Sequence, residues 1–104
     1  MTSWRDNVAQ IEIEKRRWSI LTHLNLSTPH RSLSRDMLKM GCRANGIPTT
    51  ADQLEDALSW LDERGYVTLE SLGPLETASL SADGREVAQG VRIVKGVLPF
   101  GTEA

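Results

Sequence analysis

Between residues 3 and 24 the apolar positions Val8, Ile11, Ile13, Ile20, Leu21 and Leu24 recur among charges with no Gly or Pro to interrupt them. That spacing predicts an amphipathic helix from about Ser3 to Leu24. Trp4 and Trp18 fall on other parts of its wheel, so its first turns are expected to pack on something beyond the local core, a dimer partner being one candidate. Ser27, Thr28 and Pro29 then break the pattern and predict a loop over Leu26 to Arg31, with Leu33 anchoring its far end. Ser34 is placed to cap a second helix from Arg35 to Ala44, which Asn45-Gly46 closes. Its apolar face is read as Met37, Leu38, Gly41 and Cys42. Thr50-Ala51-Asp52-Gln53 fits a capping box and opens a third helix whose buried positions are Leu54, Ala57, Leu58 and Leu61, with Trp60 at the margin and Gly65 as the stop.

Beyond Gly65 the period changes. Tyr66 to Glu70 alternates and is rich in β-formers, and Glu76 to Leu80 is a weaker partner across Ser71-Leu72-Gly73-Pro74, which predicts a hairpin. Ser81 caps a short last helix through Gln89, ended by Gly90. Val91 to Ala104 mixes apolar residues with Gly96, Pro99 and Gly101, and reads as an extended tail that is ordered only if it docks. The expected class is mainly α with a small β-hairpin (α+β), over residues 1–90, followed by the tail at 91–104.

The 104-residue length fits one domain with one core and leaves little room for an enclosed active site. The lone Cys42 excludes an internal disulfide and a multi-thiolate metal set, and no apolar run reaches the roughly 20 residues of a membrane span. With no secretory leader in view, the expectation is a cytoplasmic protein. The net charge of −2 conceals a strong division: seven basic residues face Asp36 alone between Lys15 and Arg43, whereas ten acidic residues face four basic ones from Ala44 onward. Within the basic part Arg35, Lys39 and Arg43 recur at i, i+4, i+8 and line one helix face, the sharpest surface feature of the sequence. Phosphate or an acidic protein surface would suit it; a solvated helix face explains it equally well.

The order of helices and hairpin, and the run Leu54-x-x-Ala57-Leu58-x-Trp60-Leu61-Asp62-Glu63-Arg64-Gly65-Tyr66-Val67 followed by Leu80-Ser81-Ala82-Asp83-Gly84, resemble the winged helix-turn-helix of MarR-like and ArsR-like regulators. More narrowly, Arg17-x-x-Ile20-Leu21, Leu33-Ser34, the gapless passage from Ser34 to Val67 and the tail from Val91 to Gly101 resemble a small winged-helix family of Mu-like bacteriophages and prophages. The resemblance implies a DNA-binding transcriptional regulator or accessory factor, working as a homodimer in the host cytoplasm. In that role Arg31, Arg35, Lys39 and Arg43 would meet the phosphates of double-stranded DNA, and Thr49, Thr50 and Gln53 would meet base edges from the start of the third helix.

Electrostatics opposes this. Asp52, Glu55, Asp56, Asp62 and Glu63 outnumber Arg64 in the third helix, and the hairpin turn holds no Lys or Arg. The alternative expectation is a protein-interaction or assembly module that docks a phage or host protein through the same fold. Metal sensing lacks ligands, since Cys42 stands alone and His23 and His30 have no carboxylate partners at ligand spacing. No nucleophile elbow, Cys-His context or phosphate-binding Gly loop is present, so neither an enzyme nor a cofactor site is expected.

Overall fold

Hydrophobic periodicity, capping and strand pairing are all realised in the computed structural model, which describes residues 4–72 and 75–100. The chain runs α1 (Trp4–Leu26), β1 (Ser32–Ser34), α2 (Arg35–Ala44), α3 (Ala51–Glu63), β2 (Val67–Leu72), β3 (Leu75–Leu80) and α4 (Ala82–Ala88). Residues 101–104, the expected Ser3 start of the first helix and the Gly73-Pro74 part of the expected turn lie outside the described residues.

The strands form one antiparallel sheet in the order β1-β3-β2. The expected hairpin is β2 with β3, in register from Val67↔Leu80 to Leu72↔Leu75. No strand is expected between the loop at Leu26 to Arg31 and α2, yet Ser32, Leu33 and Ser34 form β1 and pair with Ser79, Ala78 and Thr77. A Ser-Leu-Ser triplet has no β signature of its own, and it becomes a strand because β3 offers it an edge.

The core lies where α1, α2 and α3 converge over the sheet. Ile20, Leu21, Leu24, Leu58 and Leu61 are fully buried there, each burial contributing about 1.5–3 kcal/mol. Ser34 caps α2 by accepting from the Met37 amide at 3.3 Å. Thr50 and Gln53 form the reciprocal capping box of α3, with bonds of 2.9 and 3.1 Å. Gly65 ends α3 in the left-handed region at φ 78°, where a side chain would be strained. The apolar face of α2 is narrower than expected, because Met37 is exposed and only Leu38, Gly41 and Cys42 turn inward. The first helix extends two residues past the expected Leu24, to Leu26.

The tail docks. Val97 is buried and Val94 packs against the core cluster. Its backbone is tied to α1 at two points: Arg17 donates from Nη1 to the Gly96 carbonyl at 2.9 Å, and the Leu98 amide donates to the Glu14 carbonyl at 3.3 Å. Trp18 and Trp60 are half-buried against the core, whereas Trp4 at the projecting start of α1 is exposed. No helix among the described residues is long and apolar enough to cross a membrane.

Candidate interaction surfaces on α2 and α3

Each helix face is set by which residues the core takes. In α3 the inward positions are Leu54, Ala57, Leu58 and Leu61, so the opposite ridge is Asp52, Asp56, Ser59 and Glu63, all exposed. Glu55 lies on the flank toward α2, and Trp60 and Arg64 lie on the flank toward α1. The outward surface of α3 is therefore a row of carboxylates.

The expected phosphate-binding residues do not act as one set. Arg35 is only 19% exposed, because its Nε donates to Glu55 of α3 and lies 3.4 Å from a Glu76 carboxylate oxygen of β3. Two carboxylates thus hold the first member of the basic stripe. Lys39 is half-buried and Arg43 exposed, and neither has an ion-pair partner among the described residues. Arg31 sits in the turn before β1 in the left-handed conformation at φ 51°, where its carbonyl accepts from the Leu80 amide at 2.9 Å.

The expected base-reading residues are engaged elsewhere. Thr49 is buried, donates its hydroxyl hydrogen to the Ile47 carbonyl at 2.9 Å and accepts from Arg16 Nε at 3.1 Å. Thr50 and Gln53 use their polar atoms on one another's amides in the capping box, although both side chains are exposed. The amide of Gln53 retains its NH2 group as an unspent donor.

Arg16 was not singled out by sequence reasoning, and it is 3% exposed. Its guanidinium joins the α2–α3 turn to α1 by reaching Thr49, the Pro48 carbonyl at 2.9 Å and Glu12 at 2.7 Å. An arginine one turn after a glutamate reads as a solvated pair, so the sequence hides this role. Arg17 and Arg64 each place a guanidinium carbon 4.0 Å from the centroid of Trp60. The Trp60–Arg64 half of this arrangement is local and legible at i, i+4; Arg17 comes from another helix.

Cys42 is buried at the α1–α2 seam, and burial pushes its thiol above the ordinary range. Hydrogen bonds with Ser19 and Thr49 and the charge of Arg16 pull the other way without reversing it. His23 donates from Nδ1 to the Ser19 carbonyl at 2.8 Å, and His30 is exposed in the α1–β1 turn. The described residues contain no group of three His, Cys, Asp or Glu side chains placed to hold a metal ion. Comparison of the chain with protein-family models, with curated proteins and with solved structures returns no match.

Proposed function

We propose that the chain is a winged-helix protein of the phage type that works as an interaction module, presenting the acidic ridge of α3 to a basic protein surface. The order helix, strand, helix, helix, hairpin, helix, with the hairpin carried in a three-stranded sheet, supports the winged-helix reading. One observation carries the choice of partner. The ridge that a winged helix offers to the major groove is Asp52, Asp56, Ser59 and Glu63, and Arg35 of the neighbouring helix α2 is already bound by Glu55 and Glu76. Carboxylates at that position repel phosphate, whereas they steer and orient a cationic partner.

A second reading, a DNA-binding regulator, draws on Lys39 and Arg43, which lack carboxylate partners on α2. Contacts there would position a duplex by its backbone without reading its sequence.

Fluorescence anisotropy separates the two. A mixed-sequence DNA duplex and a Lys/Arg-rich peptide are each titrated with the protein at about 50 and about 200 mM salt, the range over which phosphate contacts weaken. The wild type is expected to bind the peptide and not the duplex. The variant Asp52→Lys/Asp56→Lys/Glu63→Lys is expected to lose the peptide and gain salt-sensitive duplex binding. Salt-sensitive duplex binding by the wild type that Lys39→Glu/Arg43→Glu abolishes would overturn the interaction-module reading in favour of the second.

A further inference from the structure

Where the last turn of α3 meets α1 and the docked tail, Glu14, Arg17, Trp60, Arg64 and Lys95 line a shallow depression of about 420 Å³. Three cations share it with one carboxylate, so two positive charges are in excess. Arg64 and Lys95 have no carboxylate partner among the described residues. Glu14, the lone counter-charge, already accepts from Gln10 Nε2 at 2.7 Å.

Two of the three cations are anchored on the same indole. Arg17 and Arg64 both lie 4.0 Å from the Trp60 centroid, so their guanidiniums are separated by at most twice that distance. Arg17 is fixed further by its bond to the Gly96 carbonyl, and its Nε is buried without a partner. Its affinity for its proton is lowered, first by burial and also by the charge of Arg64, with Glu14 opposing. A pre-assembled group of like charges is stabilised by an anion that bridges them. The rim of the Trp60 ring adds to this, because the edge of an indole is its electropositive part.

We propose that the Arg17, Arg64 and Lys95 cluster beside Trp60 binds a phosphate dianion, either free or as the terminal phosphate of a monoester. Planar guanidinium forks match phosphate oxygens in pairs, and an ammonium supplies a compact third charge. A phosphate carrying close to two negative charges offsets the excess in the depression, which a singly charged backbone phosphodiester does not. This site is on the opposite flank of α3 from Glu55 and does not depend on which partner the acidic ridge meets.

The test uses the full chain, ¹⁵N-labelled, with the Trp60 indole N–H resonance followed by NMR. Sodium phosphate is titrated against sodium chloride at matched ionic strength, with parallel arms using a nucleoside monophosphate and a short DNA duplex. A saturable shift in the millimolar range is expected with phosphate. With the monoester the shift should weaken as pH falls through about 6, where the ester dianion is protonated. The monoester arm distinguishes an ester ligand from the free ion by which saturates first. Arg64→Gln and Lys95→Gln, both at exposed side chains, should each abolish the shift while leaving the rest of the spectrum folded. An absent or unsaturable shift with phosphate, an undiminished shift in both variants, or a response to the duplex alone overturns the assignment.

Discussion

Gly84 and Tyr66 meet backbone to backbone: a Cβ built on Gly84 would overlap the carbonyl oxygen of Tyr66. The same carbonyl accepts from the Ser81 amide at 3.1 Å, so it cannot move aside without releasing the start of α4 from the junction of α3 and β2. The Leu-Ser-x-x-Gly run legible in the sequence therefore has a steric cause in this chain. Gly84→Ala is expected to destabilise by about 2 kcal/mol, the overpacking penalty exceeding the roughly 1 kcal/mol gained in helix propensity. Urea denaturation measures it, and a midpoint equal to that of the wild type would show that α4 shifts freely.

Arg16 is expected to matter more than any other charged residue for stability. Arg16→Ala leaves the Pro48 carbonyl and Glu12 without their partner and opens space beside the buried Thr49, a loss of about 2–4 kcal/mol. Glu12→Gln, at a side chain 40% exposed, should cost less than about 1 kcal/mol. Equal losses in the two variants would mean that the ion pair, and not the tie to the α2–α3 turn, is what Arg16 supplies.

Stability should fall in alkali through Cys42. Burial raises its thiol pKa in the folded chain, so the folded state keeps a proton that the unfolded state releases. The contribution is intact below the ordinary thiol value, about 8.5, and declines as pH rises above it toward the folded value. Unfolding midpoints between about pH 8 and pH 10 should drop more steeply for the wild type than for Cys42→Ala. A thiol reagent should label Cys42 only in denaturant; rapid labelling of the native protein would contradict its place in the α1–α2 seam.

Deleting the tail after Gly90 should destabilise the remaining chain by about 2–4 kcal/mol, since Val97 and part of Val94 leave a buried surface. Gly96→Ala reports on the same docking. A Cβ there would lie 2.5 Å from Trp60 Cζ2, and the residue holds φ 100°. Thermal melting of both variants checks this, and unchanged melting temperatures would show that the tail rests on α1 without supporting it.

What the sequence disclosed follows the range of the interaction. The limits of α2 and the start of α3 were legible because Ser34, Thr50 and Gln53 act within three residues of themselves. The same locality explains why Thr50 and Gln53 were ambiguous: a good capping box and a base-reading pair use the same polar atoms. The strand β1 was not legible, because its pairing with β3 depends on residues 47 positions away, as in the Ser32–Ser79 contact. The periodicity of Arg35, Lys39 and Arg43 was real, but Glu55 and Glu76 come from two other elements, and only the fold brings them onto Arg35. Arginine burial is rare, and nothing in the residues around Arg16 marks it as an exception.

The tie between Arg17 and Gly96 spans 79 residues, and β1 meets β3 across 47 at Ser32 and Ser79. α1 therefore takes some of its final neighbours from segments made well after it. The helices can form locally, but the contacts that lock them close long loops and carry the entropic cost of doing so. Folding is thus paced by these long-range closures and not by helix formation.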